Sequence, residues 1–194
     1  MTEDEELPAI FPLEGTPPRD FECTRVEQND FLHERAWSEQ AEGFSVTHLA
    51  QLHGIVVGYM TLAMDAIPLQ TSEKPRSDLR LVRFPAMKIV QLAVDARWEG
   101  RGFGQHLVAS AAVIAHRLSH TIGCRYLTVD ARPEVVDWYK HQEFKINKVD
   151  RKALAERAEK AGKDPKLLPL SMRIDLFSLW EDLRDRFPLD FRRE

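Results

Sequence analysis

Glycines at alternate positions give this sequence its clearest chemical signal. Gly100, Gly102 and Gly104 lie in the run Glu99–Gly104, which follows the apolar, β-branched run Ile89–Val94. Glycine allows the backbone to adopt positive φ and to come close to a ligand. The N–H groups at the start of a helix lack intrahelical partners, and the helix dipole favours an anion there. The spacing therefore predicts a turn that binds a phosphate group through its backbone.

A strand before this turn and a helix after it must hold it in place. The run Ile89–Val94 is typical of a buried strand. Apolar side chains after the turn recur at helical spacing, at Phe103, Leu107, Ala111, Ile114 and Leu118. Another strand is predicted over Arg125–Ala131, so the unit from Ile89 onward should be a right-handed parallel crossover.

Two common phosphate-binding motifs are excluded. A Walker loop ends in Gly-Lys-Ser/Thr, whereas Gly104 is followed by Gln105 and His106. A dinucleotide fingerprint needs Gly-x-Gly-x-x-Gly, and neither Gly100 nor Gly102 begins one. The turn is therefore either a phosphate-binding turn of another kind or a glycine-rich turn with no ligand.

Composition sets the outer bounds. The 194 residues, 43% hydrophobic and 30% charged, suit one domain or one domain with an appendage. A net charge of −4 gives no general attraction to nucleic acid, and no apolar run is long enough for a transmembrane helix. The acidic N-terminus argues against a secretory signal. The two cysteines, Cys23 and Cys124, are expected to be free thiols in a reducing, cytoplasmic setting.

The remaining elements complete an α/β fold with a mixed central sheet and helices on its faces. Residues 1–20, rich in acid and proline, are expected to be an extended or loosely attached lead-in. Further helices are predicted over 26–42, 134–141, 151–162 and 177–187, and further strands over 44–52, 55–64, 144–149 and 171–176. His53-Gly54 joins two of these strands into a hairpin. Residues 65–86 are expected to be a long polar connection, of a length that is often functional.

The glycine turn resembles the pyrophosphate loop of the GNAT family of N-acetyltransferases. That loop reads Gln/Arg-x-x-Gly-x-Gly/Ala and links the fourth strand to a helix. Residues 99–104 match it, except that Glu99 stands where the family usually has Gln or Arg. The backbone N–H groups, which carry the binding, are unaffected by this change.

A second segment, residues 135–144, also resembles this family. Its pattern after the fifth strand is Phe-Tyr-x-x-x-Gly-Phe. Here Trp138 replaces the first Phe, Tyr139 and Phe144 match, and Glu143 replaces the Gly. The chain is therefore identified as similar to the family over residues 21–176, with a lead-in at 1–20 and a C-terminal helical tail at 177–194.

The resemblance implies a single-domain fold with a V-shaped split between two parallel strands, in which acetyl-CoA lies. It implies that backbone groups of Leu92, Ala93 and Val94 hold the acetyl carbonyl. It assigns the pyrophosphate to Gly100, Arg101, Gly102, Phe103, Gly104 and Gln105. Tyr139 corresponds to the general acid that protonates the leaving thiolate, the alternative being a core tyrosine beside Trp138. No metal is implied.

Several ionisable groups remain without an assigned role. Asp95 and Glu99 are candidates for the general base, although surface charge at a strand end or a chain of solvent is an equally simple interpretation. His116 and His120 are spaced i, i+4 as a metal pair would be, but a solvated helix face is favoured without a third ligand. The basic cluster, Arg76, Arg80, Arg83 and Lys88, is favoured as a solvated loop over an RNA contact.

Three functions are compatible with these features. The first is an acetyltransferase for a small-molecule or protein amine. The second is a toxin-like enzyme that acetylates aminoacyl-tRNA, which the N-terminal helix, its hairpin and the Arg97/Arg101 pair also resemble, although the acidic charge weighs against it. The third is a non-catalytic CoA-binding or interaction module. Tyr139 and the unbroken strand through Leu92–Val94 favour catalysis. No membrane partner is expected, and the oligomeric state stays open, a dimer being one option.

Overall fold

The computed structural model describes residues 6–76, 78–148, 156, 158–162 and 164–180. The chain forms two compact units. The first draws on the ranges 1–65 and 87–114, and the second on 66–86 and 115–194.

The first unit contains, in sheet order, β1 (Ala9–Pro12), β2 (Val46–Leu52), most of β3 (Ile55–Pro68) and most of β4 (Arg83–Val94). The pairs β1–β2 and β2–β3 are antiparallel. The helix predicted over 26–42 is present as α1 (Val26–Asp30), a π-helical turn (Phe31–Arg35) and α2 (Ala36–Ala41). Helix α3 (Phe103–Ser119) follows β4.

The second unit contains the start of β4 and then, in sheet order, β5 (Tyr126–Ala131), β7 (Leu170–Asp175) and β6 (Lys145–Ile146). β7 is antiparallel to β5 and to β6. β4 and β5 are neighbours joined through α3, which is the parallel crossover expected of a strand-helix-strand unit. The sheet is therefore mixed, as predicted. Helix α4 (Val136–His141) lies between β5 and β6.

A tyrosine organises the core of the first unit. Tyr59 on β3 is fully buried, with its ring at 5.4 Å from that of Phe21 and 6.4 Å from that of Phe31. Leu13, Leu32 and other apolar side chains complete the cluster. The π-helical turn thus buries Phe31 and Leu32 together, which fixes the N-terminal helix to the sheet.

The second unit has a smaller apolar cluster around its own tyrosine. Tyr126 on β5 contacts Phe84 edge-on, with ring centroids 6.3 Å apart. Ile67, Leu69 and Ala86 pack with this pair. The ends of β3 and β4 therefore contribute side chains to this core.

Within the predicted lead-in, residues 9–12 are extended, which is one of the two forms expected, and they are attached to the sheet rather than loose. Strand β1 pairs with β2 in register, with Ala9 opposite Gln51. Leu13 is 2% exposed, and its N–H donates to the carbonyl of Thr47 at 2.7 Å. Proline had suggested a loop, but an edge strand tolerates proline because one side of its backbone needs no partner.

Strands β3 and β4 are longer than predicted, whereas β2 and β6 are shorter. β3 continues to Pro68 and β4 begins at Arg83, so the predicted 65–86 connection is reduced to residues 69–82. Within β4, the Pro85 carbonyl accepts the Arg125 N–H at 2.9 Å. The strand predicted over 144–149 is limited to Lys145–Ile146.

The C-terminal predictions are tested only in part. Of the helix predicted over 151–162, residues 158–161 are helical and residues 151–155 lie outside the described residues. Of the tail helix predicted over 177–187, residues 177–180 are helical and 181–187 lie outside the described residues. The predicted strand at 171–176 is confirmed as β7.

Candidate active site

The glycine turn joins β4 to α3 as predicted. After β4 comes one 3-10 turn, Ala96–Trp98, and α3 begins at Phe103. Gly100 and Gly102 have φ of +77° and +82°, values that other residues rarely adopt. A Cβ at Gly100 would have no atom of the described residues within 4 Å, and one at Gly102 would meet only Gln105 Oε1 at 3.8 Å. Backbone conformation, rather than crowding, therefore requires glycine here.

The predicted pyrophosphate residues lie together at the start of α3. The His106 N–H donates to the Gly102 carbonyl at 3.1 Å, which begins the helix. The N–H groups of residues 103–105 therefore precede the helical hydrogen-bond ladder, as an anion site requires. Phe103 is 4% exposed and packs on Trp98, with ring centroids 6.0 Å apart. The Arg101 guanidinium lies over the ring of the same Trp98, with its Cζ 4.8 Å from the ring centroid.

Asp95 is not the surface charge that was expected. Its side chain is fully buried and accepts hydrogen bonds from the Arg97 guanidinium at 2.8 Å through both oxygens, and from the Glu22 N–H at 3.1 Å. It also caps the 3-10 turn by accepting the Arg97 N–H at 3.0 Å. The hydrogen bond from Arg97 lowers the pKa of Asp95 below its ordinary value, although burial opposes this. Such a carboxylate anchors the turn and is poorly suited to be a general base.

The end of β4 is tightly packed against β3. The Asp95 N–H donates to the Val57 carbonyl at 3.0 Å. A Cβ at Gly58 would lie 3.0 Å from the Ala93 carbonyl oxygen and 3.1 Å from Leu107 Cδ1. Gly58 is thus required by the close approach of β3 to β4 and α3. Of the residues predicted to hold the acetyl group, Ala93 is the one facing this contact.

Tyr139 lies on α4 in the second unit. It is 6% exposed, and its ring contacts Trp138 and Phe144 edge-on, with centroids 4.8 Å and 5.2 Å away. Burial raises the pKa of Tyr139 to about 12. The phenol is therefore protonated at neutral pH, a property that a proton donor needs and that a core tyrosine shares.

Glu143 adopts the turn that glycine makes in the family pattern. Its φ is +66°, in the left-handed region. The Phe144 N–H donates to the Tyr139 carbonyl at 3.1 Å, and the Glu143 N–H to the Lys140 carbonyl at 3.1 Å. These two bonds, with the Tyr139–Phe144 ring contact, form a Schellman motif that ends α4. The replacement of glycine therefore leaves the turn intact.

A buried ion pair anchors the connection between β3 and β4. Arg173 on β7 donates to Glu73 at 2.9 Å, and their side chains are only 12% and 6% exposed. Glu73 also accepts the Lys148 N–H at 3.0 Å and the Gln70 N–H at 3.1 Å. Burial raises the pKa of Glu73, but these two N–H groups and the charge of Arg173 together bring it below its ordinary value.

Two members of the basic cluster, Arg76 and Arg83, make polar contacts within the second unit. Arg76 pairs with Asp78 at 2.5 Å, and Arg83 donates to the Ala66 carbonyl. Arg76, Arg80 and Arg83 are exposed, whereas Lys88 is half-buried.

The histidine pair is not a simple solvated face. The Nε2 atoms of His116 and His120 are 3.4 Å apart, and the Trp180 ring lies 4.3 Å from that of His116. Burial and then His120 lower the pKa of His116. Among the described residues no group of three His, Cys, Asp or Glu side chains could hold a metal ion.

Sequence reasoning missed the structural roles of three residues, Asp95, Glu73 and Gln28. The Asp-x-Arg spacing of Asp95 and Arg97 was the available signal, since a carboxylate commonly caps a turn two residues later. Glu73 and Arg173 are 100 residues apart, and no local pattern connects them. Gln28 on α1 donates to the Leu92 carbonyl at 2.8 Å, a contact that likewise depends on tertiary packing.

The mixed sheet and the glycine turn leading into a helix are those expected of a GNAT acetyltransferase, and comparison with known proteins agrees. The profile of the acetyltransferase (GNAT) family matches residues 7–144. A tRNA-acetylating toxin of Mycobacterium tuberculosis is 30% identical over 125 residues, which cover 63% of this chain and 74% of the relative. The chain therefore belongs to the acetyltransferase (GNAT) family.

Solved structures share the fold. A bacterial toxin superposes with a TM-score of 0.71 at 13% identity, over 97% of this chain and 100% of that one. AtaT complexed with acetyl-methionyl-tRNAfMet gives a TM-score of 0.73 at 17% identity, over 92% and 99%. A variant of KacT gives 0.73 at 17% identity, over 91% and 99%.

Family membership confirms that the protein is an acetyl-CoA-dependent acetyltransferase. The glycine turn fits this donor, because backbone N–H groups at a helix start suit a diphosphate. Cys23 and Cys124 are not joined in a disulfide, as expected, and both are buried. No described helix combines the length and the apolar character needed to cross a membrane.

Proposed function

We propose that this enzyme transfers the acetyl group of acetyl-CoA to the α-amino group of an aminoacyl-tRNA. The observation that carries the proposal is the 30% identity to a tRNA-acetylating toxin over 74% of that protein. A small-molecule or protein amine is the alternative acceptor, and the two are separated by experiment below.

The site chemistry favours an acceptor of low basicity. The attacking amine must be neutral, and Asp95 cannot readily take its proton because its oxygens are already engaged by Arg97 and by backbone N–H groups. An α-amino group has a pKa of about 8, against about 10.4 for a lysine side chain. A much larger fraction of an α-amine is therefore neutral at pH 7, so an α-amine needs less help from a general base.

The charge distribution is more compatible with RNA than the net charge of −4 suggests. Residues 1–15 contain five acidic and no basic side chains, whereas the rest of the chain holds 27 basic and 26 acidic ones. Arg97 and Arg101, beside the glycine turn, are exposed. Exposed arginines can meet phosphates without a strongly basic protein overall.

The reaction needs one attack and one protonation. The amine nitrogen attacks the thioester carbon, and the carbonyl oxygen gains negative charge that N–H groups at the end of β4 stabilise. The C–S bond breaks as the amide forms. We assign the proton that the CoA thiolate takes to the Tyr139 phenol, which burial keeps protonated. The new amide nitrogen loses its surplus proton to water, and the phenolate regains one from water.

Acetyl transfer from labelled acetyl-CoA tests the acceptor directly. The purified enzyme is incubated with aminoacylated tRNA, with the same tRNA after deacylation, and with lysine-containing peptides and free amino acids. We expect label in the aminoacylated tRNA that is released by mild alkali, because the acetylated residue remains ester-linked. Label only in peptides or amino acids would overturn the proposal while leaving the acetyltransferase assignment intact. An aminoacyl-tRNA substrate also places the enzyme in the cytoplasm.

A further inference from the structure

We infer that Gln28 is a positioning residue for acetyl transfer: its side-chain amide occupies the Leu92 carbonyl, so that this edge of β4 presents N–H groups to the acetyl oxygen. The inference rests on the family reaction and on the predicted placement of the acetyl carbonyl at Leu92–Val94. It is independent of the acceptor.

Gln28 is held rigidly before it reaches β4. Its main-chain carbonyl accepts the Tyr59 hydroxyl at 2.8 Å, and Tyr59 is fully buried. The next residue, Asn29, clamps the Cys23 backbone through both its side-chain atoms, at 2.9 and 3.0 Å. The Gln28 Oε1 lies 3.9 Å from Cys23 Sγ, which leaves Nε2 directed at the Leu92 carbonyl at 2.8 Å. The amide therefore has one orientation here, because the Leu92 carbonyl is an acceptor and must face the Nε2 donor.

The Leu92 carbonyl lies on the edge of β4 that faces away from β3. The Asp95 N–H bonds to Val57 on β3, and the Ala93 carbonyl oxygen is the nearest atom, at 3.0 Å, to a Cβ placed on Gly58 of β3. Backbone groups of successive residues in a strand point to opposite edges, so Leu92 and Val94 direct theirs away from β3. On this edge the Leu92 carbonyl stands between the N–H groups of Leu92 and Val94.

An unoccupied carbonyl at this position would oppose the reaction. Negative charge develops on the acetyl oxygen in the transition state, and an oxyanion site works through fixed donors directed at that charge. A carbonyl dipole beside the donors would repel the oxygen. The hydrogen bond from Gln28 satisfies this carbonyl and, because the peptide is planar, also fixes the orientation of the Leu92–Ala93 peptide.

The carbonyl stretch of bound acetyl-CoA, labelled with ¹³C at the acetyl carbonyl, tests this role without an acceptor. The variants are Gln28→Met, which keeps the length and removes the donor, and Gln28→Glu, which keeps the shape and places a carboxylate against the carbonyl. Gln40→Met is the matched control, because Gln40 also bridges backbone groups of the first unit, the Leu13 carbonyl at 2.7 Å and the Thr47 N–H at 2.9 Å.

We expect the carbonyl stretching frequency of acetyl-CoA bound to the parent and to Gln40→Met to be lower than that of free acetyl-CoA. In both Gln28 variants the frequency should return toward the free value. Affinity for CoA without the acetyl group should be unchanged. With any competent acceptor, kcat should fall by roughly tenfold or more, below the 10²–10³-fold typical of losing a direct oxyanion donor. The inference would be overturned if this frequency were the same in the parent and in either folded Gln28 variant. It would also be overturned if binding to the parent did not lower the frequency. If Gln28→Met does not fold, Gln28→Glu decides.

Discussion

Two irregular segments of this protein are each anchored by one buried carboxylate, and the anchors differ in how far they reach along the chain. Asp95 holds the turn before Gly100 through Arg97, two residues away. Glu73 holds the β3–β4 connection through Arg173, 100 residues away. Each carboxylate also accepts backbone N–H groups.

This difference in sequence separation means that one anchor shapes a single turn, whereas the other depends on the folding of a whole unit. The Asp95–Arg97 pair can form as soon as its turn forms, whereas the Glu22 N–H reaches Asp95 only once the first unit has folded. The Glu73 anchor requires β7 and the residues after β6 to be in place, so it reports the folding of the second unit. Arg97 is 58% exposed although it is bound to Asp95, whereas Arg173 is 12% exposed.

The largest expected effect tests whether the second unit supplies chemistry as well as structure. Tyr139→Phe keeps the ring contacts with Trp138 and Phe144 and removes the phenolic proton. If Tyr139 is the acid, turnover falls by roughly 10²–10⁴-fold. Acetyl-CoA affinity and the unfolding midpoint should be unchanged, as measured by calorimetry and thermal denaturation. Normal turnover would make Tyr139 a core residue only.

Removing the long-range anchor should affect stability most. Glu73→Ala leaves Arg173 buried without its carboxylate, which destabilises by about 3–5 kcal/mol when a buried pair is broken. Denaturant unfolding gives the measurement. The double variant Glu73→Leu with Arg173→Met should recover much of the loss, since an apolar pair needs no charge partner. Equal losses in the single and double variants would assign the effect to packing.

Removing the local anchor should have a smaller global effect and a clearer local one. Asp95→Asn keeps the shape but loses the charge that holds Arg97, which lowers the free energy of unfolding by roughly 1.5–3 kcal/mol. Because Asp95 caps the turn that leads into the pyrophosphate residues, affinity for acetyl-CoA should also weaken. Glu42→Gln, at an exposed position outside the glycine turn, is the control. Full affinity in Asp95→Asn would contradict the anchoring role.

Acid should weaken the long-range anchor. The folded-state pKa of Glu73 is lower than its ordinary value of 4.5, so its contribution is complete above 4.5 and is lost as pH falls through the folded pKa. Glu73→Gln cannot titrate at this position. The free energies of unfolding of the parent and Glu73→Gln should therefore differ at pH 7 and converge below pH 4.5. A difference that persists undiminished in acid would show that charge is not its source.

The smallest effect concerns the end of α4. Glu143 has φ of +66°, where a side chain costs about 1 kcal/mol relative to glycine. Glu143→Gly should therefore stabilise the protein by about this amount, with the Schellman hydrogen bonds retained. A rise in the unfolding midpoint without a change in turnover is the expected result. A fall would mean that the Glu143 side chain makes a stabilising contact of its own.

Elements defined by local patterns were predicted well from the sequence. The β-branched run up to Val94, the glycine turn and the apolar face of α3 follow one another along the chain, and each is recognisable from its own residues. All three are confirmed. The hairpin of β2 and β3 was also recovered through its turn at His53-Gly54. In each case periodicity and turn chemistry indicate the same structure.

Features set by distant contacts could not be predicted. Strand β1 has only four residues, and the acidic residues and prolines in and around it indicate a loop. Its pairing with β2 determines its structure. The burial of Asp95 depends on the Glu22 N–H, 73 residues away. Gln28 is an ordinary helical residue in the sequence, and only the approach of α1 to β4 gives its amide a carbonyl to bind.

The pairing of β1 has a practical consequence for how this protein should be produced. His106, in the first turn of α3, contacts the Pro8 carbonyl at 2.9 Å, so the segment leading into β1 touches the helix that begins at the glycine turn. A shortened clone that starts at residue 21, chosen because the lead-in looks dispensable, would remove Pro8, all of β1 and the buried Leu13. Such a product would expose β2 as a new sheet edge, which invites aggregation during purification. Affinity tags are better placed before residue 6, with the whole lead-in retained.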